Sequence, residues 1–133
     1  MSKYLLDTCV IVSLFRANRE IANKLNTIGL ENCAISEITL AELIVGAESS
    51  SRKSLNMSLI EKFERQIAII PFSNVIRRYA REKVATRKAG TPIEDFDLII
   101  GCTALDNDMI LVTDNVKHMK YVPNLIIENW HTH

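Results

Sequence analysis

The chain has 133 residues, of which 47% are hydrophobic and 24% charged, and its 16 basic side chains balance 16 acidic ones. A chain of this length forms one domain around one core, so we expect a single domain over residues 1–133, with 128–133 as a C-terminal tail. The low content of aromatic residues, Gly and Pro argues against an all-β fold, and the zero net charge means that any nucleic-acid binding must come from a local patch.

The cysteines and the start of the chain bear on the cellular compartment. Cys9, Cys33 and Cys102 are odd in number and have no CxxC spacing, which is typical of buried thiols in a reducing environment. Residues 1–7 reach a charged side chain too soon for a signal peptide, and no stretch approaches the ~18 apolar residues of a membrane span. We therefore expect a cytoplasmic protein with no membrane partner.

The first candidate site residue follows a short apolar strand, which is predicted over residues 4–6. Asp7 comes at the carboxyl end of this strand, where open parallel α/β sheets bind their ligands. Thr8 is a plausible N-cap for a helix that continues to Phe15. Asp7 is therefore either a site carboxylate or a residue that only caps this helix.

The next segment repeats the pattern of helix, strand and helix. Apolar residues at helical spacing predict a helix over residues 19–28, which Gly29 ends. Residues 33–35 predict a second strand, and Ser36 is a plausible N-cap for a helix over residues 38–46.

Glu42 is unusual within this second helix. Nearly all its neighbours along the helix are apolar, so we expect the helix to be buried over most of its circumference. A buried carboxylate without a partner costs several kcal/mol. Glu42 is therefore either a site carboxylate or part of a narrow polar stripe at the surface.

A basic segment follows the third strand. Residues 55–63 predict an amphipathic helix, and residues 67–70 predict a strand closed by Pro71. Basic side chains greatly outnumber acidic ones over residues 73–89, and such a run is either a solvated helix face or a track for phosphates. Tyr79 is its one obvious aromatic platform for stacking a base. The candidate phosphate contacts are Arg77, Arg78, Arg81, Arg87 and Lys88.

The helix that follows begins with acids. Residues 90–92 interrupt the preceding segment, and the apolar run after them predicts a helix whose first turn carries Asp95 and Asp97. Residues two apart lie about 200° apart around a helix, so these carboxylates cannot share a face. Asp97 shares its face with small residues such as Gly101, which leaves room for a ligand. We assign Asp97 to a site and Asp95 to capping or an outer shell; capping by both acids is the alternative.

The fourth strand, predicted over residues 109–112, also ends in polar groups. Thr113, Asp114 and Asn115 follow it as Asp7 follows the first strand. An Asx turn is an alternative explanation for Asp114 and Asn115.

The remaining C-terminal residues predict structure rather than chemistry. Residues 125–127 predict an edge strand, and we expect Trp130 to fold back on the core. No metal-ligand spacing relates the three histidines, so none is assigned a role; they are His118, His131 and His133.

Three carboxylates in apolar surroundings, Asp7, Glu42 and Asp97, form a strongly negative, oxygen-only pocket if the fold brings them together. Carboxylates so close do not all ionise without a cation. Oxygen ligands without His or Cys favour Mg²⁺ or Mn²⁺ over Zn²⁺. The reaction that follows is phosphodiester hydrolysis, in which the metal activates the attacking water and stabilises the charge that develops on the phosphate.

Four stretches of the chain carry a resemblance to a known family. They are Leu-Leu-Asp-Thr in residues 5–8, Thr-Leu-Ala-Glu-Leu within 35–46, Asp-Leu-Ile-Ile within 92–104, and Leu-Val-Thr-Asp-Asn in 111–115. In this order they resemble the PIN-domain ribonucleases, and among them the VapC-type toxins of toxin–antitoxin pairs. The similarity covers essentially the whole chain. It implies a three-layer α/β/α fold around a mostly parallel sheet of about four to five strands.

The resemblance also implies a site. Asp7, Glu42 and Asp97 correspond to the catalytic residues that bind Mg²⁺ or Mn²⁺. Where many PIN domains have a fourth acid, this chain has Asn115, a departure that bears on whether a second metal binds. The other candidates for an outer shell or for holding a metal-associated water are Ser36, Thr113, Thr8, Asp95 and Asp114.

The partners implied by the resemblance are an RNA substrate (tRNA, rRNA or mRNA), a cognate VapB-type antitoxin that covers the acidic groove, and a second copy of the chain in a homodimer. Two other functions stay open. A noncatalytic PIN-like module would bind RNA or protein, although the three acids argue against it. A phosphohydrolase of small molecules would need a second acid at Cys9, two residues after Asp7.

Overall fold

The computed structural model describes residues 3–131, and residues 1, 2, 132 and 133 lie outside the described part. The expectation that His133 has no role therefore lies outside the described residues, as does part of the expectation about residues 1–7. Within the described range, no helix is long and apolar enough to cross a membrane.

Five parallel strands form one sheet in the order β3-β2-β1-β4-β5. They are β1 (Tyr4–Leu6), β2 (Cys33–Ser36), β3 (Ala68–Ile70), β4 (Ile110–Val112) and β5 (Ile127–Glu128). The first four lie where the sequence predicts them. The last starts later than predicted because a turn at Asn124, with a φ of 66°, delays its pairing with β4.

Seven α-helices connect and cover these strands in the described part of the chain. They are α1 (Thr8–Phe15), α2 (Arg19–Ile28), α3 (Glu37–Glu48), α4 (Lys53–Glu64), α5 (Ile76–Lys88), α6 (Asp95–Asp106) and α7 (Val116–Met119). Gly29 ends α2 with a φ of 88°, and Ser36 caps α3, as predicted. The N-cap of α1 is Asp7 rather than Thr8, because the Asp7 carboxylate accepts the Thr8 backbone N–H.

The sheet divides the core in two, because successive residues of a strand point to opposite faces. Leu6 and Ile35 pack with the apolar sides of α1 to α4, whereas Leu5 and Leu111 pack with Ile100 and other residues of α6. Helix α5 lies against α6. This is the three-layer α/β/α architecture with a parallel sheet that the resemblance implies.

The described residues after β5 pack against the domain. Trp130 is 4% exposed, and its ring lies 5.6 Å from the ring of Tyr4 on β1, so it folds back on the core as predicted. His131 Nε2 lies 2.8 Å from Ser13 Oγ on α1. Within the expected C-terminal tail, Glu128 therefore belongs to β5, and Trp130 and His131 contact the rest of the domain.

The three cysteines are free thiols, as the sequence predicts. Cys33 and Cys102 are buried and Cys9 is partly buried. Burial raises the pKa of the Cys102 thiol to about 12 and that of Cys33 to about 11. Burial also raises the pKa of the Cys9 thiol to about 12, so all three thiols stay protonated near neutral pH.

We expect Trp130→Ala to destabilise the protein by about 3 kcal/mol, because it empties a buried aromatic site. Urea unfolding followed by circular dichroism measures this loss. Ile126→Ala is the matched control, since Ile126 is 64% exposed and its truncation should cost less than about 0.5 kcal/mol. Equal, small losses in the two variants would show that the C-terminal segment does not support the core.

Candidate active site

The candidate site lies at the carboxyl edge of β1 and β4, where the strand order reverses. From β1 the sheet continues to β2 and β3 on one side and to β4 and β5 on the other. Such a reversal opens a crevice at the carboxyl ends of the strands. Leu6 pairs with Val112, so Asp7 and Thr113 emerge next to each other at this edge.

Asp7 is the most buried carboxylate of the site, at 5% exposure. Its Oδ2 accepts the Thr113 hydroxyl at 2.7 Å and its Oδ1 accepts the Thr8 backbone N–H at 2.8 Å. Burial raises the pKa of Asp7 to about 6; the hydrogen bonds from Thr113 and Thr8 oppose this shift, and the charges of Asp97 and Glu42 add to it. Asp7 thus caps α1 and also occupies the pocket.

Glu42 accepts a hydrogen bond from the Thr8 hydroxyl, which in turn contacts the Thr39 hydroxyl. Thr8 Oγ1 donates to Glu42 Oε1 at 2.7 Å and lies 3.1 Å from Thr39 Oγ1. A hydroxyl has one hydrogen, so with the Thr8 hydrogen on Glu42, the Thr39 hydroxyl must donate to Thr8. The expected burial of α3 around most of its circumference is wrong, since Val45 is 67% exposed. Glu42 is accordingly only partly buried.

Asp97 is half-buried and meets the residues after β4. The Asn115 side-chain amide donates to Asp97 Oδ2 at 3.2 Å. Burial is the main cause that raises the pKa of Asp97; the charge of Glu94 adds to it, and His118 and Asn115 oppose it. The expected space beside Gly101 is filled, because a Cβ there would lie 3.3 Å from Val122 Cγ2. The small residue at position 101 is therefore explained by its close packing against Val122 and not by a cavity for a ligand.

The Asp95 carboxylate faces α5 and not the other acids. Its carboxylate accepts the Tyr79 hydroxyl at 2.8 Å and forms an ion pair with Lys83 of α5. These two hydrogen bonds, with Lys83 the larger cause, lower the pKa of Asp95. Glu94 holds the N-cap position of α6, so Asp95 neither caps the helix nor joins the other acids. The ring of Tyr79 already has Lys83 Nζ over it, 5.7 Å from the centroid, and meets Phe72 edge to face at 5.9 Å, so it is not a free stacking platform.

The other polar candidates divide into those near the acids and those apart from them. Thr113 is fully buried, and its Oγ1 accepts the Asn115 backbone N–H at 2.9 Å while it donates to Asp7. Ser36 is also buried, but its hydroxyl caps α3 through the Ile38 N–H at 3.0 Å. Asp114 is exposed. The structure therefore joins Thr8, Thr113 and Asn115 to the acids.

Two polar side chains of the site were not predicted. Thr39 supports Thr8, and His118 Nδ1 lies 2.8 Å from Asn115 Oδ1. A signal existed for Thr39, because it precedes Glu42 by three residues on the predicted helix, a spacing that places side chains on one helical side. No helix was predicted after Asn115, so His118 had no comparable signal.

The donor set fits a hard divalent cation. All three acids offer oxygen, and no Lys, Arg or His of residues 3–131 forms an ion pair with any of them. Asp7 is buried beside two further negative charges, which a cation would offset. Over the same range, no three Asp, Glu, His or Cys side chains lie close enough together to form a ready metal shell. Each acid is instead turned towards a protein hydroxyl or amide.

The basic residues of α5 are split between the two ends of α6. Arg78 forms an ion pair of 2.7 Å with Asp106 at the far end of α6 and is not free for phosphate. The charge of Arg87 contributes to the low pKa of Asp95, which places Arg87 near the start of α6. Four of the five predicted contacts are exposed; they are Arg77, Arg81, Arg87 and Lys88.

Comparison with known proteins supports the resemblance seen in the sequence. The PIN domain family model matches residues 4–123. Ribonuclease VapC2 of Rickettsia felis is 37% identical over 135 residues, covering 96% of this chain and 97% of that protein. The tRNA(fMet)-specific endonuclease VapC of Salmonella typhimurium is 26% identical over 131 residues, covering 98% and 99%.

Solved structures give the same result. The DNA-bound VapBC structure from Salmonella typhimurium contains a chain that matches with a TM-score of 0.90 at 28% identity, covering 98% of this chain and 100% of that one. A chain of VapBC2 from Rickettsia felis, bound to a promoter DNA fragment, matches with a TM-score of 0.88 at 34% identity, covering 96% and 98%. The likeness extends over the entire described sheet and its helices.

We expect Asp7→Asn to stabilise the metal-free protein by up to about 3 kcal/mol near pH 7. The pKa of Asp7 is higher in the folded protein, about 6, than its ordinary value of 3.8, so ionisation of this carboxyl costs stability as the pH rises between these values. Asparagine does not ionise and still accepts the Thr8 N–H.

Urea unfolding in EDTA at about pH 4 and about pH 7 measures this effect, and the gain should be small at the lower pH and full at the higher one. Asp108→Asn is the control, because Asp108 is exposed and its φ of 52° suits asparagine. A loss of stability in Asp7→Asn at both pH values would mean that the carboxylate is structural.

Proposed function

The chain belongs to the PIN domain family and is an endoribonuclease of the VapC type, and we propose that Asp7, Glu42 and Asp97 hold the divalent cation that its cleavage of RNA requires. We propose Mg²⁺ as this cation, with Mn²⁺ able to replace it, because the donors are hard oxygens without His or Cys.

The observation that carries this proposal is the uncompensated negative charge around Asp7. Its carboxylate is buried, and this burial, with a smaller addition from the charges of Asp97 and Glu42, raises its pKa to about 6. Its bonded partners, Thr113 and Thr8, are neutral. A purely structural acid at this depth would be expected to have a cationic partner, because an unpaired buried charge is costly. The arrangement instead favours a cation from solution.

The residues around the acids set their orientation. Thr113 and the Thr8 N–H hold both oxygens of Asp7, and the Thr8 hydroxyl holds one oxygen of Glu42. Asn115 holds one oxygen of Asp97. When bound, the cation stabilises the charge that develops on the phosphate and lowers the pKa of the attacking water.

The RNA backbone requires cationic contacts beyond the acids. We propose that the exposed basic residues Arg87 and Lys88, at the end of α5 nearest the start of α6, contact phosphates next to the cleaved bond. Arg77 and Arg81 lie earlier on α5 and would contact the chain farther away. Phe96 is 48% exposed and lies between Asp95 and Asp97, so an unpaired base can reach it, unlike the occupied Tyr79.

We expect Asp97→Asn to lower RNA cleavage by more than about 100-fold, since loss of a ligand should exceed the effect usual for outer-shell partners. The assay uses a mixed tRNA and rRNA pool and purified, antitoxin-free protein with Mg²⁺, with Mn²⁺ and with EDTA. Asp108→Asn, the same change beyond the opposite end of α6, is the matched control and should cut as wild type.

The outcomes separate the remaining possibilities. If Asp97→Asn cuts as well as wild type, the proposed site is wrong. If wild type binds RNA but cuts none with either cation, a noncatalytic RNA-binding module becomes the better account. If only small phosphoesters are hydrolysed, the phosphohydrolase alternative is favoured.

We also propose that a VapB-type antitoxin inhibits this chain, as the matched VapBC complexes suggest. A groove between α1, α3 and α4 is lined by Val12, Phe15, Gly46 and Leu59, and Glu42 forms part of its wall. An antitoxin segment with apolar side chains fits this groove, and a basic side chain at its end would reach the acids. Such a cation competes directly with the metal ion.

Leu59→Asp should therefore weaken inhibition by the antitoxin about 10-fold or more while RNA cleavage stays near the wild-type rate, because Leu59 is 38% exposed and lies in the groove. Titration of the cleavage assay with the antitoxin measures this. Ile126→Asp is the control, since Ile126 is exposed outside the groove. Equal inhibition of both variants would place the antitoxin elsewhere.

Three further expectations are retained as proposals. We propose that the chain forms a homodimer, and the exposed apolar residues Ile76 and Val84 of α5 are candidate contacts. We propose that it acts in the cytoplasm, where its RNA substrates are. We propose that residues 1–133 form one PIN domain, and the single continuous sheet supports this.

A further inference from the structure

We propose that His118 is a positioning residue of the active site, which acts through Asn115 to set the orientation of Asp97. This inference rests on the proposed function, because it assumes that Asp97 binds the cation. It concerns a histidine for which the sequence predicts no role.

The bonds of the Asn115 amide allow only one orientation. Asn115 contacts Asp97 Oδ2 at 3.2 Å through Nδ2 and His118 Nδ1 at 2.8 Å through Oδ1. An ionised carboxylate only accepts hydrogen bonds, so the amide nitrogen must face Asp97. The amide oxygen then faces His118, whose Nδ1 must carry a proton in order to donate. The contacts form a chain of donors from His118 through Asn115 to Asp97.

The backbone on both sides of this chain is fixed. The Asn115 N–H donates to Thr113 Oγ1 at 2.9 Å, and the same hydroxyl donates to Asp7. Met119 is fully buried, which anchors the short helix α7 and keeps His118 one turn from Asn115. What this backbone leaves free is rotation of the Asn115 amide. His118 restrains this rotation from one side through the shorter contact, 2.8 Å, and Asp97 from the other through the longer one, 3.2 Å.

The cost of losing that restraint follows from the amide itself. A half-turn of the Asn115 amide would exchange its nitrogen and oxygen and direct Oδ1 at the Asp97 carboxylate, where two acceptors repel each other. Asp97 would then lose its donor and its fixed rotamer. In the observed orientation, the Asn115 amide oxygen faces His118 and not the acids. Asn115 therefore orients the metal ligand Asp97 and does not supply a ligand oxygen of its own.

The test is a double-mutant cycle on two readouts, Mn²⁺ affinity by titration calorimetry and the rate of RNA cleavage. We expect His118→Ala to weaken Mn²⁺ binding and cleavage each by about 10-fold, the lower end of the usual effect for outer-shell partners of metal ligands. In an Asn115→Ala background, His118→Ala should have no further effect. His118→Asn, which keeps a donor near the position of Nδ1, should restore much of the loss.

Lys117→Ala is the matched control, since Lys117 is the exposed neighbour of His118 on α7. Thermal unfolding of each variant without metal should match wild type, because His118 is exposed and its loss should not affect folding. Equal effects of His118→Ala in the wild-type and Asn115→Ala backgrounds would overturn the inference, as would a result no different from Lys117→Ala.

Asp97→Asn separates a failure of this inference from a failure of the proposed function. If Asp97→Asn loses Mn²⁺ binding while His118→Ala keeps it, the metal site stands and only the role of His118 is wrong. If Asp97→Asn binds Mn²⁺ as wild type does, the site itself is misassigned.

Discussion

The structure depends on one costly placement, the burial of the Asp7 carboxylate at the edge of a parallel sheet. Desolvation raises its pKa to about 6, and the charges of Asp97 and Glu42 add to this. The Thr113 hydroxyl and the start of α1 make the placement possible by donating to both oxygens. Because the sheet order reverses between β1 and β4, these donors come from segments that are far apart in sequence but adjacent at the sheet edge.

The acids are oriented without being neutralised. Their bonded partners are the hydroxyls of Thr8 and Thr113, the side-chain amide of Asn115 and the backbone N–H of Thr8. Neutral donors fix the direction of a carboxylate but offset little of its charge. On the proposed function, the counter-charge comes from a metal ion during cleavage or from a basic side chain of the antitoxin. The same surplus of negative charge would then serve both cleavage and inhibition.

Helix α6 contributes to the core through its body and to the site through its first turn. Its body is buried on several sides, from Leu98 to Ala104, while its first turn carries acids with different partners. Asp97 faces Asn115 and the site, and Asp95 faces Lys83 on α5. Two basic residues of α5 form ion pairs within the molecule, Lys83 with Asp95 and Arg78 with Asp106. Only the other basic residues of α5 are available to contact RNA.

The sequence by itself determined most of the architecture. Short apolar strands, Gly29 and the cap at Ser36 specify local structure through backbone conformation and hydrogen bonding, which act over a few residues. The order of the motifs around Asp7, Glu42 and Asp97 also indicated the family. Asp97 could be told apart from Asp95 because helix geometry is local and regular.

Only the tertiary structure decided which groups meet. Three contacts depend on how distant segments pack. The Thr39 hydroxyl contacts that of Thr8, Gly101 packs against Val122, and Asp95 forms an ion pair with Lys83. The exposed side of α3 and the late start of β5 likewise depend on neighbouring elements. Hydrogen-bond partners and burial are properties of contacts between segments, and a pattern read along one segment does not contain them.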